Sequence, residues 1–255
     1  MFQYMDYAYA VYKEQSFTKA AKVLCISQPA LSAAIKKVEQ KIGTELFDRN
    51  ASPVALTDAG RAYIKAVEKI YCVQKDSKVC SLTFDAAWGN EDTQQLIDIL
   101  GKYNIKATFF LVGDNVRKHP EEFKMIVERG HRVGNHTFNH ISGLKYLSYN
   151  YLENTNKADE LINSTLFRPP HGWMRWGQYM VLKNRYKIVM WDLVTRDYSN
   201  RLNGPQVLEI VKKYVRNGSI ITFHDSIKSE KNMKYALPRA IEWLKEQGYE
   251  FKVFD

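Results

Sequence analysis

Ionisable side chains recur at one kind of position in this sequence, directly after short apolar runs. Asp85 follows Val79-Cys80-Ser81-Leu82-Thr83-Phe84, and His136 and His140 follow His131-Arg132-Val133-Gly134. Arg168 closes Leu166-Phe167, Asp192 follows Ile188 to Trp191, and His224 with Asp225 follows Ser219 to Phe223. A carboxylate and an imidazole can serve as general base and general acid. Two histidines four residues apart can face one divalent cation if the turn between them is helical. Alone, such a pair is more often incidental than metal-binding, and its weight comes from the other residues that share its setting. His119 and His131 fall outside the pattern and read as surface or structural residues.

For these residues to meet, the apolar runs must be strands of one sheet. Helical patterns separate them: Thr93 to Tyr103, Pro120 to Arg129, a stretch ending at Asn163, and Tyr235 to Gln247. A further strand, Ala107 to Val112, lies between the first two helices. Strands alternating with helices predict a parallel α/β sheet or barrel. In such a barrel the C-terminal strand ends gather at one mouth, where groups distant in sequence converge.

The first 74 residues read differently. Apolar and aromatic residues recur at Tyr4, Tyr7, Ala8, Val11 and Tyr12, predicting a helix over 5–15. Ser16 is placed to cap a short helix over Phe17 to Leu24, and Cys25-Ile26-Ser27 makes a turn. Ser27 caps a third helix that carries Pro29 in its first turn and stops before Gly43. Two short helices joined by a tight turn describe a helix-turn-helix. The polar run Lys75-Asp76-Ser77 is the best boundary, giving domains of 1–74 and 75–255.

Composition narrows the classes. The net charge of +9 is spread along the chain, since residues 1–74 hold 10 basic against 7 acidic residues, so charge alone points weakly to an anionic partner. Cys25, Cys72 and Cys80 form neither a disulfide framework nor a zinc knuckle and read as buried thiols. The N-terminus shows no basic start, apolar run or cleavage site, and no stretch approaches the ~20 apolar residues of a membrane span. The expectation is a cytoplasmic protein with no membrane partner.

The strand-end residues, with their neighbours, resemble the polysaccharide deacetylase family (NodB-homology, carbohydrate esterase family 4). The resemblance lies in Thr83-Phe84-Asp85, Ala107-Thr108-Phe109-Phe110, Gly134-Asn135-His136-Thr137-Phe138-Asn139-His140, Arg168-Pro169-Pro170-His171-Gly172, Trp191 with Asp197-Tyr198, and Thr222-Phe223-His224-Asp225. It implies a distorted, incomplete (β/α) barrel that removes acetyl groups from N-acetylated oligo- or polysaccharides of chitin-like or peptidoglycan-like kind. It implies a divalent metal, zinc foremost, with cobalt, nickel or manganese as alternatives, held by His136 and His140. Asp85 would be the base, Arg168 its partner, His224 the acid, and Asp197, or alternatively Asp192, the carboxylate that tunes His224. The backbone N–H of His171 would face the oxyanion.

The sequence departs from the family where a second aspartate normally follows the base, for Ala86 stands there. Asp92 could return as a ligand if Trp88-Gly89-Asn90 forms a loop; otherwise it caps the helix beginning at Thr93. The missing carboxylate implies a metal site weaker than the family's usual one. His171 also replaces the commoner tyrosine, a change that leaves the backbone role intact.

Residues 1–74 resemble the DNA-binding domain of LysR-type transcriptional regulators, an all-α winged helix-turn-helix. Ser16-Phe17-Thr18-Lys19-Ala20-Ala21, Ser27-Gln28-Pro29-Ala30-Leu31-Ser32, Ile35, Leu46-Phe47-Asp48-Arg49 and Leu56-Thr57-Asp58-Ala59-Gly60 carry the likeness. It implies duplex DNA as partner, with Ser27, Gln28, Pro29 and Ser32 at the major groove and Lys36, Lys37 and Arg49 on phosphates. It also implies a homodimer formed through a helix over 58–74, whose apolar side would be Ala62, Ile64, Val67, Ile70 and Tyr71. The alternative to an enzyme joined to a DNA-binding domain is a transcriptional regulator whose barrel senses acetylated carbohydrate without turnover.

Overall fold

The computed structural model describes residues 5–24, 26–71, 77–86 and 92–254. Cys25, Cys72, Lys75, Asp76 and the Trp88-Gly89-Asn90 segment lie outside these, as does the side chain of Asp92. The chain divides into two compact units, Met1–Ile70 with Trp173–Trp176, and Tyr71–Gly172 with Gly177–Asp255.

The first unit contains α1 (Met5–Glu14), α2 (Phe17–Leu24), α3 (Gln28–Ile42), a two-stranded antiparallel wing of β1 (Phe47–Asp48) and β2 (Ala55–Leu56), and α4 (Asp58–Tyr71). The three predicted helices form, the second and third where Ser16 and Ser27 cap them. Ser27 is extended at φ −73 and its hydroxyl accepts the Ala30 N–H, while Gly43 closes α3 in the left-handed conformation at φ 83. Ala8, Val11, Ala20, Ala21, Leu31, Ile35, Leu46, Phe47, Ile64 and Val67 are buried.

One buried carboxylate ties the wing to α3. Glu39 accepts the Leu46 N–H at 2.9 Å and an Arg49 guanidinium N–H at 2.8 Å. Arg49 also donates to Ser32 Oγ and lies over the Phe17 ring, 5.0 Å from its centre. Gly60 is required at the start of α4, because a Cβ there would sit 1.9 Å from the Leu46 carbonyl oxygen. Ile64 and Val67, expected on a dimer-forming face, are buried within the chain, while Ala62 is exposed. The side chains of Ile70 and Tyr71 lie outside the described residues.

The second unit is a curled sheet whose neighbouring strands are all parallel, flanked by helices. In chain order it runs β3 (Val79–Ala86), α5 (Asp92–Lys102), β4 (Thr108–Leu111), α6 (Gly113–Lys118), α7 (Pro120–Glu128), β5 (Arg132–Asn135), α8 (Ser148–Ile162) and β6 (Leu166–Phe167). It continues with α9 (Trp176–Leu182), β7 (Lys187–Ile188), β8 (Leu193–Val194), α10 (Gly204–Tyr214), β9 (Ser219–Asp225), α11 (Glu230–Glu246) and β10 (Glu250–Phe251). The strand order is β7-β6-β5-β4-β3-β9-β8, with β10 pairing the start of β3. The path does not return from β8 to β7, so the expected incomplete barrel is the observed one.

Strand alternation sets what each face holds. On β3, Cys80, Leu82, Phe84 and Ala86 enter the main apolar cluster with Leu96, Leu100, Ile221, Phe223, Ala236 and Ala240, packed beneath the helices. Ser81, Thr83 and Asp85 therefore take the other face. On β9 the same two-residue period sets Ile221 and Phe223 against Thr222 and His224. The chain that follows β10 is bonded back across the sheet: Lys252 N–H donates to Cys80 O, Ser81 Oγ to Lys252 O, and Arg132 Nε to Phe254 O.

Gly134 on β5 leaves the space that Phe110 on β4 occupies. A Cβ at Gly134 would lie 2.5 Å from the Phe110 ring, and the same ring carries the Arg168 guanidinium at 4.0 Å. Gly134→Ala is therefore expected to cost about 1–3 kcal/mol, the range for forced overpacking. Thermal unfolding would show the loss, and a midpoint equal to wild type would refute this account of the packing.

Candidate active site

Strand register places the site. Asp85 on β3 is the Cα partner of His224 on β9 and of Phe110 on β4. His136 directly follows β5, with its N–H donated to Leu111 O, and Arg168 directly follows β6, with its N–H donated to Asn135 O. The four groups thus stand at the C-terminal ends of the parallel strands β6, β5, β3 and β9, with β4 between β5 and β3.

Arg168 is wholly buried and each of its nitrogens has a partner. Nη1 donates to Asp85 Oδ1 at 2.6 Å, Thr83 Oγ1 at 3.0 Å and Thr222 Oγ1 at 3.3 Å. Nη2 donates to Met190 O at 2.9 Å and Nε to Val189 O at 3.2 Å. Burial works to raise the Asp85 pKa, but the charge of Arg168, with His136 and His224 beyond it, outweighs burial and holds the carboxyl below its ordinary value. Asp85 is therefore ionised at neutral pH.

His136 is buried, and burial pulls its pKa down to about 3 against the opposing pull of Asp85. Its Nδ1 lies 2.7 Å from the Arg168 carbonyl oxygen, which can only accept. The Nδ1–H is therefore the donor, and Nε2 keeps its lone pair. That Nε2 is 3.9 Å from Asp85 Oδ2.

His140 is brought to His136 by a loop and not by a helical turn. Thr137 (φ 63) and His140 (φ 54) are both left-handed, and the curled loop leaves the two ring centres 4.9 Å apart. The loop is pinned by Asn135 Oδ1, which accepts the Thr137 N–H, and by Asn154 Oδ1 on α8, which accepts the N–H groups of Phe138 and Asn139. Burial holds the pKa of His140, too, below its usual range.

On the other side of Asp85, His224 is bound twice by the buried Asp197. Asp197 Oδ1 lies 2.8 Å from Nδ1, and Oδ2 accepts the His224 N–H at 2.8 Å. Burial opposes the positive charge of His224, yet the hydrogen bond and charge of Asp197 prevail and raise its pKa. Asn232 in turn donates to the Asp197 carbonyl. Asp192, the other carboxylate considered, is engaged elsewhere, with Arg216 Nε at 3.0 Å, Ser219 Oγ at 2.9 Å and the Ile220 N–H at 2.6 Å. His171 occupies a short 3-10 turn, Pro170–Gly172, at φ 58, with its ring exposed and 4.7 Å from that of His140.

The donor set suits a borderline divalent ion as far as two ligands. Two neutral imidazoles lie side by side, one with its outer nitrogen fixed by a backbone carbonyl. Ala86 adds nothing, since its methyl is buried in the apolar cluster on the face opposite Asp85. Among the described residues no three histidines, cysteines or carboxylates are arranged to ligate one ion. The backbone of Asp92 begins α5, and its side chain is outside the described residues.

Several contributors carry no assigned role in the sequence reading. Thr83 and Thr222 share a hydrogen bond at 2.9 Å under the guanidinium, Phe110 stacks against it, and Asn154 and Asn232 brace the two histidine arms. The threonines had a signal: Thr83-x-Asp85 and Thr222-x-His224 place each threonine on the face of its ionisable neighbour. The asparagines, far off in sequence, had none.

Of the proposed DNA-contacting residues, Ser27, Gln28, Pro29 and Lys36 are exposed around the start and outer face of α3. Ser32 and Arg49 are bonded to one another within the unit.

Comparison with known proteins accounts for both units. Residues 2–61 match the family model described as bacterial regulatory helix-turn-helix protein, lysR family. Residues 73–182 match that for polysaccharide deacetylase. A peptidoglycan-N-acetylglucosamine deacetylase of Bacillus cereus is 32% identical over 190 residues, covering 70% of this chain and 87% of that protein. The Listeria monocytogenes peptidoglycan-N-acetylglucosamine deacetylase PgdA is 32% identical over 187 residues, but these are 39% of its length and 71% of this chain. The crystal structure of the Bc1960 peptidoglycan N-acetylglucosamine deacetylase superposes with a TM-score of 0.68 at 28% identity, over 71% of this chain and 88% of that one. BA3943 of Bacillus anthracis, a CE4 family pseudoenzyme, superposes with a TM-score of 0.64 at 30% identity, over 71% of this chain and 65% of that one. With its parallel half-barrel and these relatives, the chain belongs to the polysaccharide deacetylase family, hydrolases that act on C–N bonds other than peptide bonds.

Proposed function

We propose that this protein removes acetyl groups from N-acetylated sugars of peptidoglycan-like or chitin-like kind in a metal-dependent hydrolysis, with residues 75–255 as the catalytic domain. The observation that carries this reading is the pairing on adjacent strands of an ionised Asp85 with a His224 whose proton is held by Asp197. His136 and His140 would hold the ion, zinc foremost, with Asp92 a further candidate. A bound divalent ion polarises the acetyl carbonyl and lowers the pKa of a coordinated water.

The chain's own groups supply the rest. Asp85, oriented by Arg168, takes a proton from the attacking water. The His171 N–H donates to the oxygen on which charge develops. His224, held at Nδ1 by Asp197, delivers the proton of Nε2 to the departing nitrogen as the C–N bond breaks, so acetate and a free amine leave.

One observation favours a second reading, a barrel that binds acetylated carbohydrate without turnover. Ala86 offers no ligand, and a pseudoenzyme is among the proteins this chain superposes on. Acetate release from N-acetylglucosamine oligomers and peptidoglycan fragments separates the two. We expect metal-dependent release, with Asp85→Asn and His224→Ala each at least ~100-fold slower. No release by wild type across substrates and divalent metals would reject the enzyme.

The pH profile tests the acid. His224 must be protonated to act, so kcat/KM falls as pH rises through its pKa. Asp197→Asn removes the charge that raises that pKa, and the alkaline limb moves to lower pH. A limb that stays put belongs to another group.

For residues 1–74 we infer a DNA-binding domain with α3 as the reading helix. Its first turn, Ser27 to Ala30, and Lys36 and Lys37 are exposed, so base edges and phosphates are within reach of one face. Duplex DNA should be retained by the full chain at low salt and released steeply as salt rises. Lys36→Ala should lower affinity and flatten that slope. Failure to retain duplex DNA at low salt would refute the assignment. No helix among the described residues is long and apolar enough to cross a membrane.

A further inference from the structure

Asp197 grips His224 at two points, and the first turn of α11 grips Asp197. The Asn232 side chain donates to Asp197 O at 2.9 Å and to Leu202 O at 3.1 Å, so both N–H bonds of its amide are taken. Those two acceptors are the ends of one loop, 197–202. The loop also carries Tyr198, whose ring meets the His224 ring edge-on at 4.6 Å. One amide thus closes the loop that supplies His224 with both its carboxylate and an aromatic neighbour.

Ser229, three residues earlier, reaches the other partner. Its hydroxyl donates to His224 O at 2.7 Å and lies 2.8 Å from Ser226 O. Residues one helical turn apart therefore hold both members of the Asp197–His224 pair by their backbones.

Helix formation alone would use neither residue this way. Ser229 stands at the N-cap of α11, where a serine hydroxyl ordinarily accepts an N–H from the first turn, yet it makes no such bond. Asn232 is buried inside the helix, although asparagine is among the poorer helix formers and an amide is costly to bury. Departures of this kind from local preference gather at functional sites.

We propose that Asn232, seconded by Ser229, is a positioning residue for the proton donor, fixing Asp197 so that one carboxylate reaches both Nδ1 and the backbone N–H of His224. This rests on the reading of His224 as the acid. Both of those bonds are 2.8 Å long. A carboxylate set back by an ångström would lose them, and with them the partner that outweighs the burial of His224. The other groups that act on His224 are Asp85, Arg168 and His140. Asp85 and Arg168 are bonded to each other across the sheet, so loss of the Asn232 amide acts through Asp197.

The test has two arms, both on the full chain. Proton NMR of the metal-free protein follows the Nδ1–H of His224, a hydrogen-bonded proton assigned by its loss in His224→Ala. Asn232→Leu keeps a side chain of similar size and removes both donors, so that resonance should move upfield and exchange faster with water. Acetate release by the same variant should lose ~10–100-fold in kcat with KM near wild type, the scale of a small misplacement of a catalytic group. The alkaline limb of its pH profile should move to lower pH. Ser229→Ala should act in the same direction, and it replaces Asn232→Leu if that chain does not fold. Asp159→Asn breaks the ion pair between Asp159 and Arg185 and controls for general loosening, leaving the resonance as in wild type. The positioning role is wrong if the resonance is absent from wild type, if it is unchanged in Asn232→Leu and Ser229→Ala, or if Asp159→Asn alters it as much. If the two variants alter it while wild type releases no acetate from any substrate, the enzyme reading falls and the hold of Asn232 on the pair stands.

Discussion

A guanidinium shut away from water must have every N–H answered, and much of the second unit can be understood as the answer for Arg168. Removing such a cation from solvent costs several kcal/mol unless it is paired and hydrogen-bonded throughout. Here Asp85 and Thr83 come from β3, Thr222 from β9, two carbonyls from the segment after β7, and an aromatic face from β4. Strands β3, β4 and β9 and the segment after β7 are thereby fixed to one charge. Asp85 completes the set, so the condition for burying Arg168 is also what holds this carboxylate ionised, as the base proposed for it requires.

The histidines on either side of this buried pair differ in their surroundings. Asp85 lies between histidines of opposite habit. Burial keeps His136 neutral at a nitrogen fit to bind a metal, whereas Asp197 keeps a proton on His224. A few ångströms of sheet therefore separate a lone-pair donor from a proton donor. Neighbours that push two like groups apart in pKa are how one fold holds acid and base at a single pH.

Much of this could be read from residue order because strand ends are local events. An apolar run followed by Asp85 or His224 announces both the strand and the face, and Ser27 with Gly43 marks α3 at both ends. What was not legible depended on side chains meeting across the fold. The choice of Asp197 over Asp192 follows from Arg216 and Ser219 occupying the latter, which no spacing reveals. The His136–His140 turn was expected to be helical if it bound metal, and two left-handed residues do the same work differently. Arg49, which in isolation suggests a phosphate contact, is also the lock between wing and helix, because a buried Glu39 several residues earlier needs it.

The seam between β3 and the chain around β10 bears on how such a molecule is made. β3 pairs on one edge with the nearby β4, yet its other edge is met by β9, some 139 residues later, and by residues up to Lys252. During synthesis α1 to α3 and the wing have one another as soon as they have emerged, whereas the second edge of β3 waits for nearly the whole chain. Contacts of such long sequence separation are slow to form, and domains fold in the order they appear. For that interval an apolar strand carrying Leu82 and Phe84 has one open edge, which makes the nascent chain, more than the finished protein, the form most exposed to aggregation.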